Sequence, residues 1–152
     1  MILRALGYTS LAIISAFILG VSGLLCYWLS DRHIPVDVIK TEVITPVVKP
    51  GGKLIVRQTV RYTRECRGHV DRLLYDQHTH RKFLTDVDYE RPPRGLGEFV
   101  ITFVEDVPSY FGAGDAWYRA IPVYSCNPVH AYLWPLTRGE TVIRFRIEGT
   151  PF

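Results

Sequence analysis

The feature that most limits how this chain can fold is a run of 25 residues without a charged side chain near its start. The run extends from Ala5 to Leu29 and reads ALGYTSLAIISAFILGVSGLLCYWL. A helix needs about 20 apolar residues to cross the hydrocarbon core of a bilayer. Tyr27 and Trp28 close the run, and such aromatic rings are enriched where a span meets the membrane interface. We therefore predict a transmembrane anchor over residues 1–30, in contact with membrane lipid through residues 5–29.

Two other interpretations of this segment stay open. A cleaved signal peptide has an apolar region of only about 7–15 residues, and no A-x-A cleavage site ends this run. A lipoprotein signal would use Cys26, but the leucine directly before it fits a small-residue cleavage motif poorly. An uncleaved anchor is therefore the leading interpretation.

Charge and the form of the N-terminus disagree about the orientation of this span. Arg4 precedes it, whereas Arg32, Lys40 and Lys49 follow within about 20 residues, which favours a cytoplasmic C-terminal domain. A short tail before Arg4 is instead typical of a signal anchor, which exports the domain that follows. The cysteines considered below decide between the two orientations.

The residues after the span are sufficient for one domain with an ordinary core. The 152 residues include 18 Lys and Arg against 15 Asp and Glu, a formal net charge of +3. So weak a positive charge gives no reason to expect nucleic-acid binding. Residues 31–50 are predicted to form a linker and a first strand, because Pro35, Pro46 and Pro50 break any helix there. Residues 51–152 are predicted to form the main domain.

Alternating side chains predict that this domain is built from strands. In the segment 53–66, Leu54, Val56 and Val60 share one parity and Arg57 and Arg61 share the other. This period of two is typical of a strand with one buried and one solvated face. Similar patterns occur in segments 69–76, 98–108, 116–126 and 141–149. With six or seven such strands and no long amphipathic helix, we predict an all-β domain, an antiparallel β-sandwich.

Two cysteine–histidine pairs raise the question of a zinc site. Cys66 lies three residues before His69, and Cys126 lies four residues before His130 in the segment YSCNPVHAYLWPL. Zinc needs all four ligands within about 2.0–2.3 Å, but Cys126 and His130 would lie roughly 13 Å apart on an extended strand. A disulfide between Cys66 and Cys126 needs only Cα atoms about 5–6 Å apart. We favour the disulfide over zinc and over free thiols, and it places the domain in an oxidising compartment.

The surroundings of Cys126 resemble those of an immunoglobulin domain. Tyr124 lies two residues before it, as in a tyrosine corner, and 60 residues separate it from Cys66. The chain lacks the tryptophan that immunoglobulin domains carry after the first cysteine. The resemblance implies an Ig-like antiparallel sandwich with cysteines that bridge its sheets, without membership of the immunoglobulin family.

No motif points to catalysis or to a cofactor. The chain has no G-x-S-x-G, H-E-x-x-H or P-loop motif. His78 and His80 could bind a metal weakly, and Asp86, Asp88 and Glu90 could hold calcium, although their spacing is not that of an EF-hand. We interpret both groups as solvated loops, and we expect no enzyme, no metal site and no cofactor.

Two surface features are candidates for contact with a partner. The first, which we call the contact loop, has aromatic residues beside glycines and supplies Tyr110, Phe111, Trp117 and Tyr118. Exposed aromatic residues of this kind are typical of binding hot spots. The second, the basic face, consists of alternate arginines that could meet anionic lipid or an acidic partner: Arg57, Arg61, Arg144 and Arg146.

The anchor, the segment VKPGGKLIVRQTV and the segment YSCNP together resemble small N-terminally anchored proteins of phages and bacterial envelopes, most of them uncharacterised. The resemblance implies a single-pass protein with a periplasmic or otherwise extracytoplasmic C-terminal domain. We expect a non-catalytic interaction or structural module of a virion or cell-envelope assembly, with protein partners. The alternatives are an accessory subunit of a larger membrane complex and an envelope enzyme.

Overall fold

The computed structural model describes residues 2–149, and the side chains of residues 7–149. Within this range a long helix, α1 (Ile2–Ser30), is followed by ten strands and a short helix, α2 (Pro128–Tyr132), which lies between β8 and β9. The strands are β1 (Val36–Val43), β2 (Val47–Val48), β3 (Lys53–Tyr62), β4 (Arg67–Asp76), β5 (Arg81–Phe83), β6 (Val87–Tyr89), β7 (Gly97–Asp106), β8 (Gly114–Ser125), β9 (Leu136–Thr137) and β10 (Thr141–Ile147).

Helix α1 is apolar, and the domain leaves it uncovered. Its section Gly7–Ser30 has 24 residues, and only Trp28 among them is partly covered. At 1.5 Å per residue this section is about 36 Å long, which exceeds the roughly 30 Å hydrocarbon core of a bilayer. α1 is therefore long and apolar enough to span a membrane, and its exposure is unlike that of a helix in a soluble core.

The strands form two sheets with almost entirely antiparallel pairing. The smaller sheet has the strand order β1-β3-β7. The larger has the order β2-β10-β8-β4-β5, with β6 also paired to β4 and β9 to β8. Only the short β2–β10 pairing is parallel among the described strands. The prediction of a mostly β protein with antiparallel sheets is therefore confirmed.

Alternation along the strands explains how the two sheets pack buried side chains against each other. On β3, Leu54 and Val56 are buried, whereas Arg57, which follows Val56, is exposed. Tyr118 of β8 and Phe145 of β10 join Leu54 and Val56 in the same buried cluster. We call this the distal core, because it lies away from α1.

A second buried cluster lies toward α1, and we call it the proximal core. β8 ends at Ser125, and Asn127, two residues further on, donates from Nδ2 to the carbonyl oxygen of Trp28 over 3.4 Å. The opposite end of β8, at Gly114, is roughly 36 Å away along the strand, at about 3.3 Å per residue. The domain therefore has a proximal end beside α1 and a distal end. The buried residues of the proximal core are Val36, Val60, Tyr124 and Leu136.

The disulfide is confirmed, but its place in the fold differs from the expected one. Cys66 and Cys126 are bonded to each other, with Cα atoms 4.5 Å apart. Cys66 directly precedes β4 and Cys126 directly follows β8, and Arg67 pairs with Ser125 in the larger sheet. The bond therefore ties neighbouring strands of one sheet, whereas the immunoglobulin bond joins two sheets. Because the sulfurs are bonded to each other, they are not available to bind zinc.

Candidate interaction surface

The structure places the contact loop at the distal end and turns half of it inward. Phe111 and Tyr118 are only 3% and 4% exposed, so they supply no contact area. Tyr110 is 59% exposed, and the half-buried Trp117 stacks on Tyr75 with ring centroids 5.2 Å apart. The alternation of β8 sends Tyr118 into the core and Trp117 to the outer face. Tyr110 is therefore the main exposed aromatic side chain of this loop.

A buried carboxylate holds the distal loops in place. Asp76 is 2% exposed and accepts hydrogen bonds of 2.9 Å from the backbone N–H groups of His78, His80 and Gly112. His80 Nδ1 lies 2.8 Å from the same carboxylate. Burial acts to raise the pKa of Asp76, but these hydrogen bonds outweigh burial, so the pKa is lowered. Asp76 has no sequence signal beyond its place between a strand and a polar turn.

Gly112 is the point at which this network fixes the contact loop. A Cβ at Gly112 would come within 2.3 Å of the His78 ring. The backbone of Gly112 therefore lies closer to His78 than any residue with a Cβ would allow. The rings of His80 and Tyr110 then meet edge to face, 6.1 Å apart. His80 Nδ1 is engaged by Asp76, so His80 belongs to the network that holds the distal loops.

The structure divides the basic face between the two sheets. Arg57 and Arg61 are exposed on β3, and Arg144 and Arg146 are exposed on β10. Arg146 forms no ion pair with any described residue, so it is the arginine of this set most available to a partner. The other arginines have carboxylate neighbours, in the pairs Arg57–Glu42 at 3.9 Å, Arg61–Glu98 at 3.0 Å, and Arg144–Asp115.

Exposed residues of the contact loop and of the basic face meet at the distal end. Arg146 is in register with Asp115 at the start of β8, and Arg144, Arg146 and Gln77 line one polar cleft there. Gln77 also donates to the carbonyl oxygen of Ala113 over 3.0 Å. We call this region the distal surface and define it by Gln77, His78, Tyr110, Arg144 and Arg146.

A second group of ligating side chains lies on the outer face of the larger sheet. His69, Asp71 and Asp86 each place one ligand atom within 4.8 Å of the others. However, His69 Nδ1 is 2.7 Å from Asp88 and Nε2 is 3.2 Å from Asp71. The hydrogen bond to Asp88, followed by that to Asp71, raises the pKa of His69. This is the geometry of an imidazolium between carboxylates, whereas a metal would need a ring nitrogen with a free lone pair.

The three acids predicted as a calcium alternative are not brought together. Asp88 is bound to His69, and Asp86 lies in the same group. Glu90 turns away and pairs with Arg67 at 3.3 Å. Glu90 is therefore separated from Asp86 and Asp88, which both lie near His69.

Helix α2 presents apolar side chains at the proximal end. Asn127 caps it by accepting a hydrogen bond from His130 N, and Pro128 occupies its first turn. Asn-Pro is a helix-start signal, and it is the sign from which this helix was predictable. Tyr132, the last residue of α2, and Leu133 and Trp134 directly after it are 86%, 77% and 56% exposed.

Specific contacts hold α2 beside the end of α1. Arg32 donates to the carbonyl oxygen of Trp134 over 3.3 Å, and its guanidinium carbon lies 4.2 Å from the centroid of the Trp134 ring. Asp31 binds Arg64 through two hydrogen bonds of 2.9 and 2.6 Å. The side-chain hydrogen bond to Arg64 is the main favourable cause of the lowered pKa of Asp31. Trp134, two residues after the end of α2, therefore lies beside the first residues after α1.

No protein-family model matches this chain, and no curated protein matches it either. Among solved structures, a β-glucosidase from Erythrobacter marinus is 10% identical with a TM-score of 0.46, over 74% of this chain and 15% of that one. A β-glucosidase from Listeria innocua is 12% identical with a TM-score of 0.45, over 77% and 16%. The sporulation control protein Spo0M from Bacillus subtilis is 15% identical with a TM-score of 0.39, over 78% and 51%. The chain spans about half or less of these proteins, and likenesses this weak carry no argument about activity.

Proposed function

We propose that this chain is a single-pass membrane protein whose β-domain is a non-catalytic interaction module. The observation that carries the proposal is the uncovered apolar helix α1, together with the exposed residues Tyr132, Leu133 and Trp134 at the end of α2. The interfacial layer on each side of a bilayer is roughly 5–8 Å thick, and tryptophan and tyrosine favour it. Trp134 is held beside Arg32, two residues after Ser30. When α1 spans the bilayer, Trp134 therefore falls in or next to this layer.

The disulfide supports an exported domain. Cys66 and Cys126 are bonded, and such bonds persist in oxidising compartments. We therefore assign an N-in topology with the domain outside the cytoplasm, although Arg32 and the lysines after the span favour the reverse. The two sheets and their shared core are assigned to a β-sandwich, Ig-like in its antiparallel layers and distinct in its disulfide.

The distal surface is the assigned site for a protein partner. Asp76 preorganises its loops, which lowers the entropic cost of binding. It offers an exposed aromatic ring, Tyr110, and a cation without an ion-pair partner among the described residues, Arg146. Aromatic and arginine side chains are enriched in binding hot spots. The partner belongs to a virion or cell-envelope assembly, in line with the resemblance to small anchored envelope proteins.

The anchor is tested by fractionation of membranes from cells that express the full chain. We expect the protein to resist alkaline extraction, and its intact mass to include residues 1–30. A mature mass that lacks this segment would show a cleaved signal instead. Labelling with a thiol reagent in native membranes should leave Cys66 and Cys126 unmodified until a reductant is added. Free alkylation without reductant would remove the support for export.

Partner binding is tested by site-specific photo-crosslinking in the native host. A photoreactive residue at position 110 should give one discrete crosslinked protein, identified by mass spectrometry. The matched control is position 100, because Val100 is 53% exposed on the outer face of β7. The crosslink at position 110 should weaken in an Asp76→Ala variant. Equal crosslinks at positions 100 and 110, or none at position 110, would refute the assignment of the distal surface.

A further inference from the structure

A cavity of about 200 Å³ lies between the two sheets. Its walls come from both cores, with Val60 and Tyr124 of the proximal core and Tyr118 and Ala120 of the distal core. Well-packed protein interiors contain few voids larger than a water molecule. An engineered apolar cavity of about 150 Å³ stays dry and binds benzene. The present cavity therefore has room for a small organic molecule.

The cavity reaches the protein surface beside an edge strand. Val87 of β6 lines the cavity and is also 39% exposed. Arg72, another lining residue, is bound to Glu105 of β7, and this largely buried ion pair joins the two sheets. A ligand thus has an entry route along β6, while the ion pair keeps the sheets at a fixed separation.

Three tyrosines that line the cavity have hydroxyls without a hydrogen-bond partner among the side chains and backbone of residues 7–149. They are Tyr62, Tyr89 and Tyr124, and Tyr124 is only 4% exposed. Tyr124 therefore does not form the hydrogen bond that defines a tyrosine corner. Gly68 makes room for this arrangement, because a Cβ there would lie 2.4 Å from the Tyr89 hydroxyl oxygen. The buried unpaired side-chain atoms of the described residues do not include these hydroxyls, so water can reach them. An acceptor atom on a bound molecule can take the place of that water.

The electrostatics around these hydroxyls favour an uncharged ligand. Burial raises the pKa of all three tyrosines, that of Tyr124 to about 12, so they are neutral donors near pH 7. Tyr62 is near enough to raise the pKa of Tyr124 further, while Arg138 lowers it and Asp37 raises it. The nearby formal charges are therefore of opposite sign. An ionised head group would gain little from them and would lose its hydration.

We propose that this cavity binds a small neutral amphiphile with an apolar body somewhat larger than benzene and one oxygen that accepts a hydrogen bond from the tyrosine cluster. Val60, Ala120 and their neighbours enclose the apolar body. The hydroxyl of Tyr124, with those of Tyr62 and Tyr89 beside it, holds the oxygen. This site is separate from the distal surface and does not depend on the orientation of the anchor.

The test uses the full chain in lipid nanodiscs, with ¹³C-labelled valine and alanine methyl groups and 4-propylphenol as the probe. Empty nanodiscs measure how much probe partitions into lipid. We expect saturable shifts of the Val60 and Ala120 methyl signals, and no saturable shift of Val142, which is exposed on β10. Absence of saturable shifts at Val60 and Ala120 would mean that the cavity holds only water, and the proposal would be overturned.

Two kinds of variant locate the bound probe. Ala120→Leu fills the cavity and should abolish the shift of Val60, and Val60→Ile, a milder filling, should weaken binding if the first variant does not fold. Tyr124→Phe removes only a hydroxyl. It should weaken the binding of 4-propylphenol by about 2–12-fold, which corresponds to the loss of one neutral hydrogen bond. The binding of propylbenzene should not change. Equal binding by wild type and both filled variants, or equal effects of Tyr124→Phe on both probes, would refute the site as described.

Discussion

Removal of the disulfide should destabilise the domain chiefly through its unfolded state. Cys66 and Cys126 are 60 residues apart in sequence, and the chain-entropy relation for a loop of this length gives about 14 cal/mol/K, or about 4 kcal/mol at 25 °C. In the folded state the pairing of β4 with β8 runs from Arg67–Ser125 to Asp76–Ala116. That ladder holds the two strands together without the bond. The variant Cys66→Ala/Cys126→Ala should therefore fold to the same structure with a lower free energy of unfolding.

The assay is urea unfolding of the full chain in one detergent, followed by tryptophan fluorescence. With a slope of about 2 kcal/mol per molar urea, the midpoint should fall by about 2 M. Cys26→Ser is the matched control, because Cys26 is unbonded and exposed on α1, and it should leave the midpoint unchanged. Reductant should lower the midpoint of the wild type and have no effect on the double variant.

The result that refutes this reasoning is a loss below about 1 kcal/mol with an unchanged urea slope. It would mean that the unfolded chain is already compact around these residues, so that closing the loop removes little entropy. A destabilised Cys26→Ser variant would show instead that α1 contributes to the unfolding transition. A reductant effect on the double variant would identify an unrelated action of the reductant.

Three further predictions concern single side chains. Asp76→Ala leaves three partly buried backbone donors unpaired and should lower the free energy of unfolding by about 2–4 kcal/mol. Because the pKa of Asp76 is lowered, its ionised form stabilises the fold above its ordinary pKa, and this contribution is lost as pH falls through the folded pKa. The free energies of unfolding of wild type and Asp76→Asn should therefore converge at acid pH. The pKa of His69 is raised, so protonated His69 stabilises the fold below its unfolded pKa of about 6.5, and this contribution is lost as pH rises through the folded pKa. Asp88→Asn should lower the His69 pKa measured by NMR, and an unchanged titration would contradict the contact. Gly68→Ala would place a Cβ 2.3 Å from the Tyr89 ring and should cost about 1–3 kcal/mol, whereas Gly139→Ala, with nothing within 4 Å, should cost less than 1 kcal/mol in the same urea assay.

The strands were predictable where burial alternates along a single strand. β3 and β10 bury every second residue, so their inward faces follow from the period of two. Their C-terminal ends do not, because β3 ends at Tyr62 and β10 at Ile147, before the ends of the segments 53–66 and 141–149. The period of two does not assign Trp117 and Tyr118, because both side chains are aromatic and either one could face the core. Only the position of β8 between β10 and β4 settles it.

Pro122 shows why pairing across the sheet is harder to predict than the strand itself. A proline predicts an edge strand or a bulge, yet β8 lies in the middle of the larger sheet. On one side, β10 pairs with β8 only as far as Ala120, and β9 begins to pair at Val123. Pro122 therefore falls in a gap between two partner strands. At this gap Pro122 has no partner strand on one side, as on an edge strand. The gap depends on β9 and β10, which come later in the sequence, so the segment around Pro122 alone does not predict it.

The position of Arg146 in the fold decides between the two partners considered for the basic face, anionic lipid and an acidic protein. Arg146 pairs in register with Asp115, about ten residues along β8 from the proximal end, which is roughly 33 Å. In the proposed orientation α2 lies at the bilayer. Even if β8 were tilted so that only half of this distance lay along the membrane normal, Arg146 would be about 16 Å above the lipid. The Debye length in physiological salt is about 8 Å, so the charge of lipid head groups is largely screened at that distance. An arginine in this position can act only on a partner that reaches the distal end, and an acidic protein surface beside Tyr110 satisfies that condition while the membrane does not.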